Sequence, residues 1–500
     1  MRCLPGAGAL PLVLVTLTPF ARADVRLPAV FGPHMVLQRD APVPVWGWAD
    51  ADEEVTVEFA GQHHVAKANK DGHWKVELAP LRTGGTHTLV VRGKNELRLD
   101  DVLVGEVWVC SGQSNMEFRV KQANQPRQEI ANADYPKIRL FKVPRLATPE
   151  PKHDCKAHWV LCSPATIPEF SAVGYFFGRE LHRHTHVGLD RVPIGLISSS
   201  WGGTRVEAWT SKAAIDRCDA ARPLIAQWNK TLARWPEAKK QHAKKLAQWK
   251  TMKNGHRPRR PRPPSGPNHR HRPSNLFNGM IAPLIPFAIR GAIWYQGESN
   301  ASRARQYRSL FPTMIRDWRT RWGRGDFPFL FVQLANFKVR QPKTWAELRE
   351  AQTMALSLPN TGMAVTIDIG NPRNIHPRNK QEVGRRLSLW ARTLVSGEQL
   401  VFSGPLYRSS KVDGDTMRIE FDHIGTGLHA LGGALTGFQL AGADHKFHPA
   451  RAKIHGKQVL VSCEAVPKPI AVRYGWSDNP HCSLYNSEHL PASPFRTDDW

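Results

Sequence analysis

Residues 105–116 read Gly105-Glu106-Val107-Trp108-Val109-Cys110-Ser111-Gly112-Gln113-Ser114-Asn115-Met116, and the fold turns on how that stretch is read. Val107 to Cys110 form a short apolar run of strand-forming residues. Gly112 punctuates it as a turn, and Ser114 follows the turn directly. A strand ending in this way can set a serine hydroxyl at the carboxyl edge of a sheet. It is not the G-x-S-x-G elbow of the α/β-hydrolases. A serine after a strand is by itself most often a helix N-cap, so the rest of the chain has to decide.

Downstream, apolar runs recur with helical patterns between them. Strands are expected at Gly105–Cys110, Ile138–Val143, Val192–Ser200, Ile289–Gln296, Phe327–Asn336 and Met363–Gly370. Over 304–323, Tyr307, Leu310, Phe311, Met314, Ile315, Trp318 and Trp322 recur at spacings of three and four, which predicts a helix with one apolar stripe. Val383, Leu387, Ala391 and Leu394 predict another over 379–396. Alternating β and α over this length implies an α/β fold with a doubly wound, mostly parallel sheet. Such sheets take ligands at the carboxyl ends of their strands.

Residues 24–100 read differently, as short β runs separated by turns such as Asp71-Gly72, which suggests a small sandwich-like β domain. Residues 101–398 form the expected catalytic domain, and strand-like runs return over 399–500 as a C-terminal β-rich region. Residues 219–273 read as an insert carrying 15 lysines and arginines against two acids, Asp219 and Glu237. Its Trp228, Leu232, Trp235, Leu246 and Trp249 suggest a helical hairpin broken near Pro236, followed by a Pro-, Arg- and His-rich loop.

Of 500 residues, 41% are hydrophobic and 22% charged, an ordinary globular balance that excludes a disordered or collagen-like chain. A mean hydropathy of −0.42 argues against a multi-spanning membrane protein. The net charge of +26 favours anionic partners without choosing among them. The basic insert is a possible contact for anionic polymer. No nucleic-acid module accompanies it, so no nucleic acid is expected. The 17 tryptophans against 7 tyrosines suit a large core first and sugar-stacking plates second.

Residues 1–23 have the form of a secretory signal: a basic Arg2, an apolar run from Ala9 to Phe20, and Ala21-Arg22-Ala23 as a small-x-small cleavage site. Cleavage after Ala23 starts the mature chain at Asp24, with no membrane span, in a periplasmic or secreted protein. Six cysteines then remain, and in an oxidising compartment pairs such as Cys155–Cys162 or Cys463–Cys482 are expected. His182, His184 and His186 lie near a helix end and read as surface residues, so no metal site is expected. The chain has no P-loop and no dinucleotide-binding glycine motif, so no cofactor is expected either.

Four polar blocks each follow an expected strand. The first ends in Gln113-Ser114-Asn115. The second runs Ser200-Trp201-Gly202-Gly203-Thr204-Arg205-Val206-Glu207-Ala208-Trp209. The third is Trp294-Tyr295-Gln296-Gly297-Glu298-Ser299-Asn300, and the fourth is Asp368-Ile369-Gly370-Asn371-Pro372-Arg373-Asn374-Ile375-His376-Pro377-Arg378-Asn379-Lys380. Together they suit a serine hydrolase. His376 takes the proton of Ser114, Ser114 attacks an acyl carbonyl, and backbone N–H groups beside adjacent glycines hold the oxyanion with an amide side chain.

These blocks closely resemble those of the sialate O-acetylesterases, of the SGNH (GDSL-like) hydrolase superfamily. The likeness runs from Val30-Phe31-Gly32-Pro33-His34-Met35-Val36-Leu37-Gln38 to the C-terminal region. The resemblance implies an SGNH-type sheet and release of acetate from O-acetylated sialic acid; related esterases act on xylan and other acetylated polysaccharides. It implies Ser114 as nucleophile and His376 as base, with the Ser114 N–H and Gly203, in preference to Gly202, in the oxyanion hole. Gln296 or Asn300 is the implied side-chain donor. Gln113, Arg205 and Glu298 are the expected sugar-binding residues, Arg205 because a guanidinium matches a carboxylate fork. One departure stands out. The superfamily commonly places Asp three residues before the histidine, where this chain has Arg373, with Asn374 next. Asp368 is the nearest upstream acid and the candidate third member of a triad. Two other readings are a glycosidase using Glu207 and Glu298, and a degenerate esterase that only binds glycans.

Overall fold

The computed structural model describes residues 24–252, 258–339 and 344–500. The expected signal segment, 1–23, lies outside the described residues. Among those described, no helix is long and apolar enough to cross a membrane.

The backbone of the fold is one 17-residue strand, Glu96–Gly112, whose first half alternates exposed and half-buried residues and whose second half is buried throughout. Alternation is the mark of a strand with one wet face, and continuous burial that of a strand covered on both. The first half pairs antiparallel with His87–Arg92 in the N-terminal β region. The second half lies at the centre of a parallel sheet. The expected boundary at residue 100 thus falls inside a single strand, and the N-terminal and α/β parts share one contiguous apolar core.

The sheet runs Thr361–Ala364, Phe329–Val332, Gly291–Tyr295, Glu96–Gly112, Ile194–Ser200, Tyr135–Lys142 and Trp159–Cys162, and all neighbours are parallel except the last pair. From the central strand the chain first builds one side, then returns to build the other. That reversal leaves a crevice at the carboxyl end of Glu96–Gly112, where α/β sheets bind ligands.

Helices cover both faces. Trp108 and Cys110 point one way: Trp108 packs edge-on to Phe177 at 5.0 Å, and Cys110 lies beneath Gly174, both on helix Ala172–His184. Helix Lys380–Ser396 lies against that helix so closely that a Cβ at Gly384 would stand 2.6 Å from the Phe176 Cβ. Ser111 and its register partner Trp294 point the other way, and Trp294 packs on Phe311 and Trp318 of helix Ala304–Trp322. All seven residues of the expected stripe on that helix are buried.

Glu106, near the amino end of the buried half-strand, accepts from Arg39 Nε at 2.6 Å and Arg290 Nε at 2.5 Å. It thereby ties the N-terminal region to the sheet. The C-terminal residues form two four-stranded antiparallel sheets around a core of their own. The buried Arg349 fastens them, donating to the carbonyls of Leu334, Ala335, Ser477 and Asp478.

Two sequence expectations need correction. The insert is not a hairpin: Arg222–Thr251 is one 30-residue helix that continues through Pro236. The chain that returns from residue 258 runs back along it. Trp249 donates to the Pro258 carbonyl at 2.7 Å, His242 meets the Pro261 carbonyl, Gly266 packs on Trp235, and His269 packs on Trp228. This cover along one stripe offsets the hydrogen bond that an internal proline removes. The expected disulfides are also not formed, and Cys110, Cys155, Cys162, Cys218, Cys463 and Cys482 are free thiols. Cys162 is buried with its Sγ at the Ala133 carbonyl.

Candidate active site

All four polar blocks arrive at the same end of the sheet. Gly112 ends the central strand with φ +140°, and a Cβ there would stand 2.2 Å from the Tyr295 carbonyl oxygen, so only glycine lets the neighbouring strand come so near. The chain then turns into a one-turn helix, Ser114–Glu117. His376 comes from the loop between strand Thr361–Ala364 and helix Lys380–Ser396. Its Nε2 lies 2.8 Å from Ser114 Oγ. The loop is braced by side chains. Asn371 Oδ1 accepts from the N–H groups of Arg373 and Asn374, and Asn374 Oδ1 accepts from the His376 N–H at 2.9 Å. The Phe118 ring stacks on the imidazole at 6.4 Å. Burial, then the charge of Lys380, hold the His376 pKa below the ordinary histidine value, which leaves the ring neutral at pH 7.

The second block lies directly against Ser114. A Cβ at Gly202 would come within 3.2 Å of Ser114 Cβ, and Gly203 is left-handed at φ +68°. Glu117 Oε2 accepts the Gly202 N–H at 2.9 Å, and Arg145 holds the other carboxylate oxygen. Among the described residues the N–H groups of Ser114 and Gly203 have no acceptor.

Several expected site residues are placed elsewhere. Asp368 does not reach His376: both its oxygens pair with Arg386, each at 2.7 Å. Nδ1 of His376 meets no carboxylate among the described residues. Gln296 and Asn300 are fully buried. The Gln296 amide donates to the Thr204 carbonyl and to Asn300 Oδ1, and the Asn300 amide donates to Glu207. Both Gln296 amide hydrogens are thus taken, and the two side chains fix the second block from behind, Asn300 Oδ1 also accepting the Val206 N–H at 3.0 Å. Gln113 is buried and accepts from the Ser299 N–H. Glu298 turns inward to Asn115 Nδ2 at 2.6 Å. Glu207, 1% exposed, is paired with Arg303. The two carboxylates of a glycosidase reading therefore both face the interior.

Arg205 is half-buried beside the second block, and no acid pairs with it among the described residues. Burial and the nearby Arg303 charge lower its pKa. The returning segment of the insert adds Arg270, whose guanidinium lies 3.5 Å from where a Gly203 Cβ would be, and next to it the half-buried His271. Burial and Arg205 push His271 down to about 4, and its buried Nε2 has no partner among the described residues. Nothing in the composition or spacing of the insert pointed to this part of it returning to the site. Glu117, Asn115 and Lys380 were also missed as site residues. Their motif spacing was visible, but such residue types are common on any surface.

A hydroxyl hydrogen-bonded to a neutral imidazole, next to unpaired backbone N–H groups at a parallel-sheet edge, is the apparatus of a hydrolase that forms an acyl-enzyme. Residues 271–390 match the family described as carbohydrate esterase, sialic acid-specific acetylesterase. The chain is 30% identical to the sialate O-acetylesterase of Mus musculus over 545 residues, covering 98% of this chain and 97% of that one. It is 31% identical to the human sialate O-acetylesterase, covering 97% and 95%. The crystal structure of a carbohydrate acetylesterase from Xanthomonas citri superposes with a TM-score of 0.82 at 42% identity, covering 95% of this chain and all of that one. The chain belongs to the sialate O-acetylesterase family and is a carboxylic ester hydrolase of acetylated carbohydrate.

Proposed function

We propose that Ser114 and His376 carry out this hydrolysis as a dyad. The observation that carries the reading is the 2.8 Å contact from Ser114 Oγ to His376 Nε2. Oγ attacks the acetyl carbonyl carbon as Nε2 takes its proton. The N–H groups of Ser114 and Gly203 receive the tetrahedral oxyanion. Collapse breaks the bond to the sugar oxygen, which leaves with the proton from His376. Water, deprotonated by His376, then attacks the acetyl-serine and releases acetate.

The substrate proposed is O-acetylated sialic acid, which the naming of the curated relatives supports. Arg205, desolvated and unpaired by any acid among the described residues, suits the sugar carboxylate. Half-buried Trp201, beside Gly202, offers an aromatic face to the ring. A polar cavity of about 290 Å³, lined in part by Glu117, Lys142, Arg145 and Ser200, gives room next to the nucleophile's helix. Acetylated neutral polysaccharide is the second reading, since the Xanthomonas citri structure is titled only a carbohydrate acetylesterase. The catalytic region is proposed to be of the SGNH type, spanning about residues 101–398, and export with cleavage after Ala23 is proposed from the leading segment. The basic helix of the insert, mostly exposed, suits contact with anionic polymer.

A fluorophosphonate tests the serine assignment. Stoichiometric labelling of the peptide containing Ser114, with loss of activity and protection by acetylated sugar, is expected. Inactivation with the label elsewhere would overturn it.

A further inference from the structure

Behind the catalytic pair, three of the four blocks meet at one buried side chain. Asn115, next to the nucleophile in sequence, is 1% exposed. Its Oδ1 accepts from Lys380 Nζ at 2.6 Å. Its amide donates to Glu298 Oε1 at 2.6 Å and to the carbonyl of Ile375, the residue before His376, at 3.0 Å. A primary amide has two N–H donors, and both are used. An ammonium can only donate, and carboxylate and carbonyl oxygens can only accept, so the amide has one permitted orientation. Lys380 is fully buried, with its ammonium 5.0 Å from both the Phe118 and Tyr295 rings. Glu298 Oε2 is buried and has no partner among the described residues.

We propose that Lys380, Asn115 and Glu298 form the positioning unit that holds His376 against Ser114, in the place that a carboxylate on Nδ1 fills in a triad. This rests on the reading of Ser114 and His376 as the reacting pair. Lys380 and Glu298 polarise the amide between them, and in a buried setting such a chain is stiff. Asn115 then fixes the Ile375–His376 peptide relative to the nucleophile's own turn. The unit differs from a triad acid in the sign of its field. Lys380 is a cation on the His376 side and disfavours the imidazolium. Burial raises the Glu298 pKa and lowers that of Lys380 to about 7, so Lys380 is charged over the acid range where His376 titrates. The other groups facing His376 are Ser114 and the Phe118 ring from the nucleophile's turn, and Asn374 on its own loop. Arg378 is turned away, to the carbonyls of Gln122 and Ala123.

The test is the pH profile of kcat/KM on 4-nitrophenyl acetate for the wild type, Lys380→Met, Glu298→Gln and Glu298→Ala, with Ser114→Ala and His376→Ala alongside. The wild-type acid limb is expected below the ordinary histidine value of about 6.5. Lys380→Met is expected to lose about 10- to 100-fold in kcat with little change in KM, and its acid limb to move up by roughly half a unit or more. Glu298→Gln, which keeps an acceptor for Asn115, is expected to retain most activity, and Glu298→Ala to fall like Lys380→Met. An acid limb unmoved in folded Lys380→Met overturns the proposal. If that variant does not fold, a wild-type limb at or above 6.5, or equal losses in the two Glu298 variants, overturns it. Activity surviving in Ser114→Ala or His376→Ala would instead overturn the underlying dyad.

Discussion

Replacing Glu117 with alanine removes the group that holds the Gly202 N–H without touching Ser114 or His376. Glu117 Oε2 accepts the Gly202 N–H at 2.9 Å, and the carboxylate, only 21% exposed, is itself held by Arg145. A hydrogen bond to a charged acceptor contributes about 1.5–3 kcal/mol. Its loss frees Gly202 and lets the Gly203 N–H drift from the position beside Ser114. If all of that were felt in the transition state, the rate would fall by about 10- to 150-fold, at 1.36 kcal/mol per decade. A second bound comes from oxyanion donors themselves, whose outright removal costs about 10²–10³. Loosening a donor must cost less than deleting it. The expected fall in kcat for Glu117→Ala is therefore about 10- to 50-fold, with KM within roughly threefold. Glu117→Gln, which keeps an acceptor, should lose only a few-fold. Steady-state hydrolysis of 4-nitrophenyl acetate at pH 7, with melting curves to confirm folding, makes the measurement. A folded Glu117→Ala with kcat within twofold of wild type, or with its whole loss in KM, would refute the reasoning.

Further outcomes follow from the same geometry. Glu106→Ala leaves Arg39 and Arg290 with only the exposed Asp40 as a partner at the far end of the central strand. Breaking a buried pair costs about 3–5 kcal/mol, so Tm should fall by several degrees while kcat stays near wild type; unchanged melting would contradict the bracing role. Arg205→Gln should cost about tenfold or more in kcat/KM on O-acetylated sialic acid and little on a neutral acetylated sugar; equal losses on both would remove the carboxylate role. Gly203→Ala puts a side chain at φ +68°, a strain of about 1–2 kcal/mol, next to the Arg270 guanidinium, and should lower kcat more than KM. An unchanged kcat would take Gly203 out of the hole.

The sheet was legible because its buried strands are apolar throughout, and helix Ala304–Trp322 because its stripe contrasts with charged residues. Other elements hid for physical reasons. Of helix Ala172–His184 only the end near His182 was legible, because it begins with seven consecutive buried residues, Ala172 to Gly178, which set no period. Helix Thr344–Thr353 carries buried Arg349 and Gln352, which read as surface. The insert helix was split at Pro236 because the cover that compensates the proline comes from residues 258–269. In the site, three of the four blocks end strands and brought out Ser114 and the glycine turn, while His376 stood out as the histidine of a polar loop between strand Thr361–Ala364 and helix Lys380–Ser396. The partners of polar side chains were not legible. Asp368 lies eight residues before His376, yet its carboxylate is taken by Arg386, ten residues after it, on the helix behind. Gln296, Asn300 and Glu298 fell in the right blocks but face inward, because alternation along a turn is not fixed by spacing. The same difficulty hid Asn115 and Lys380.

Acetate release from O-acetylated sialic acid and from an O-acetylated neutral polysaccharide, by wild type and Ser114→Ala side by side, tests the central claim most directly. The account predicts release by the wild type, strongest on the sialate, and loss of activity in the variant to background on both. Undiminished release by a folded Ser114→Ala would contradict it.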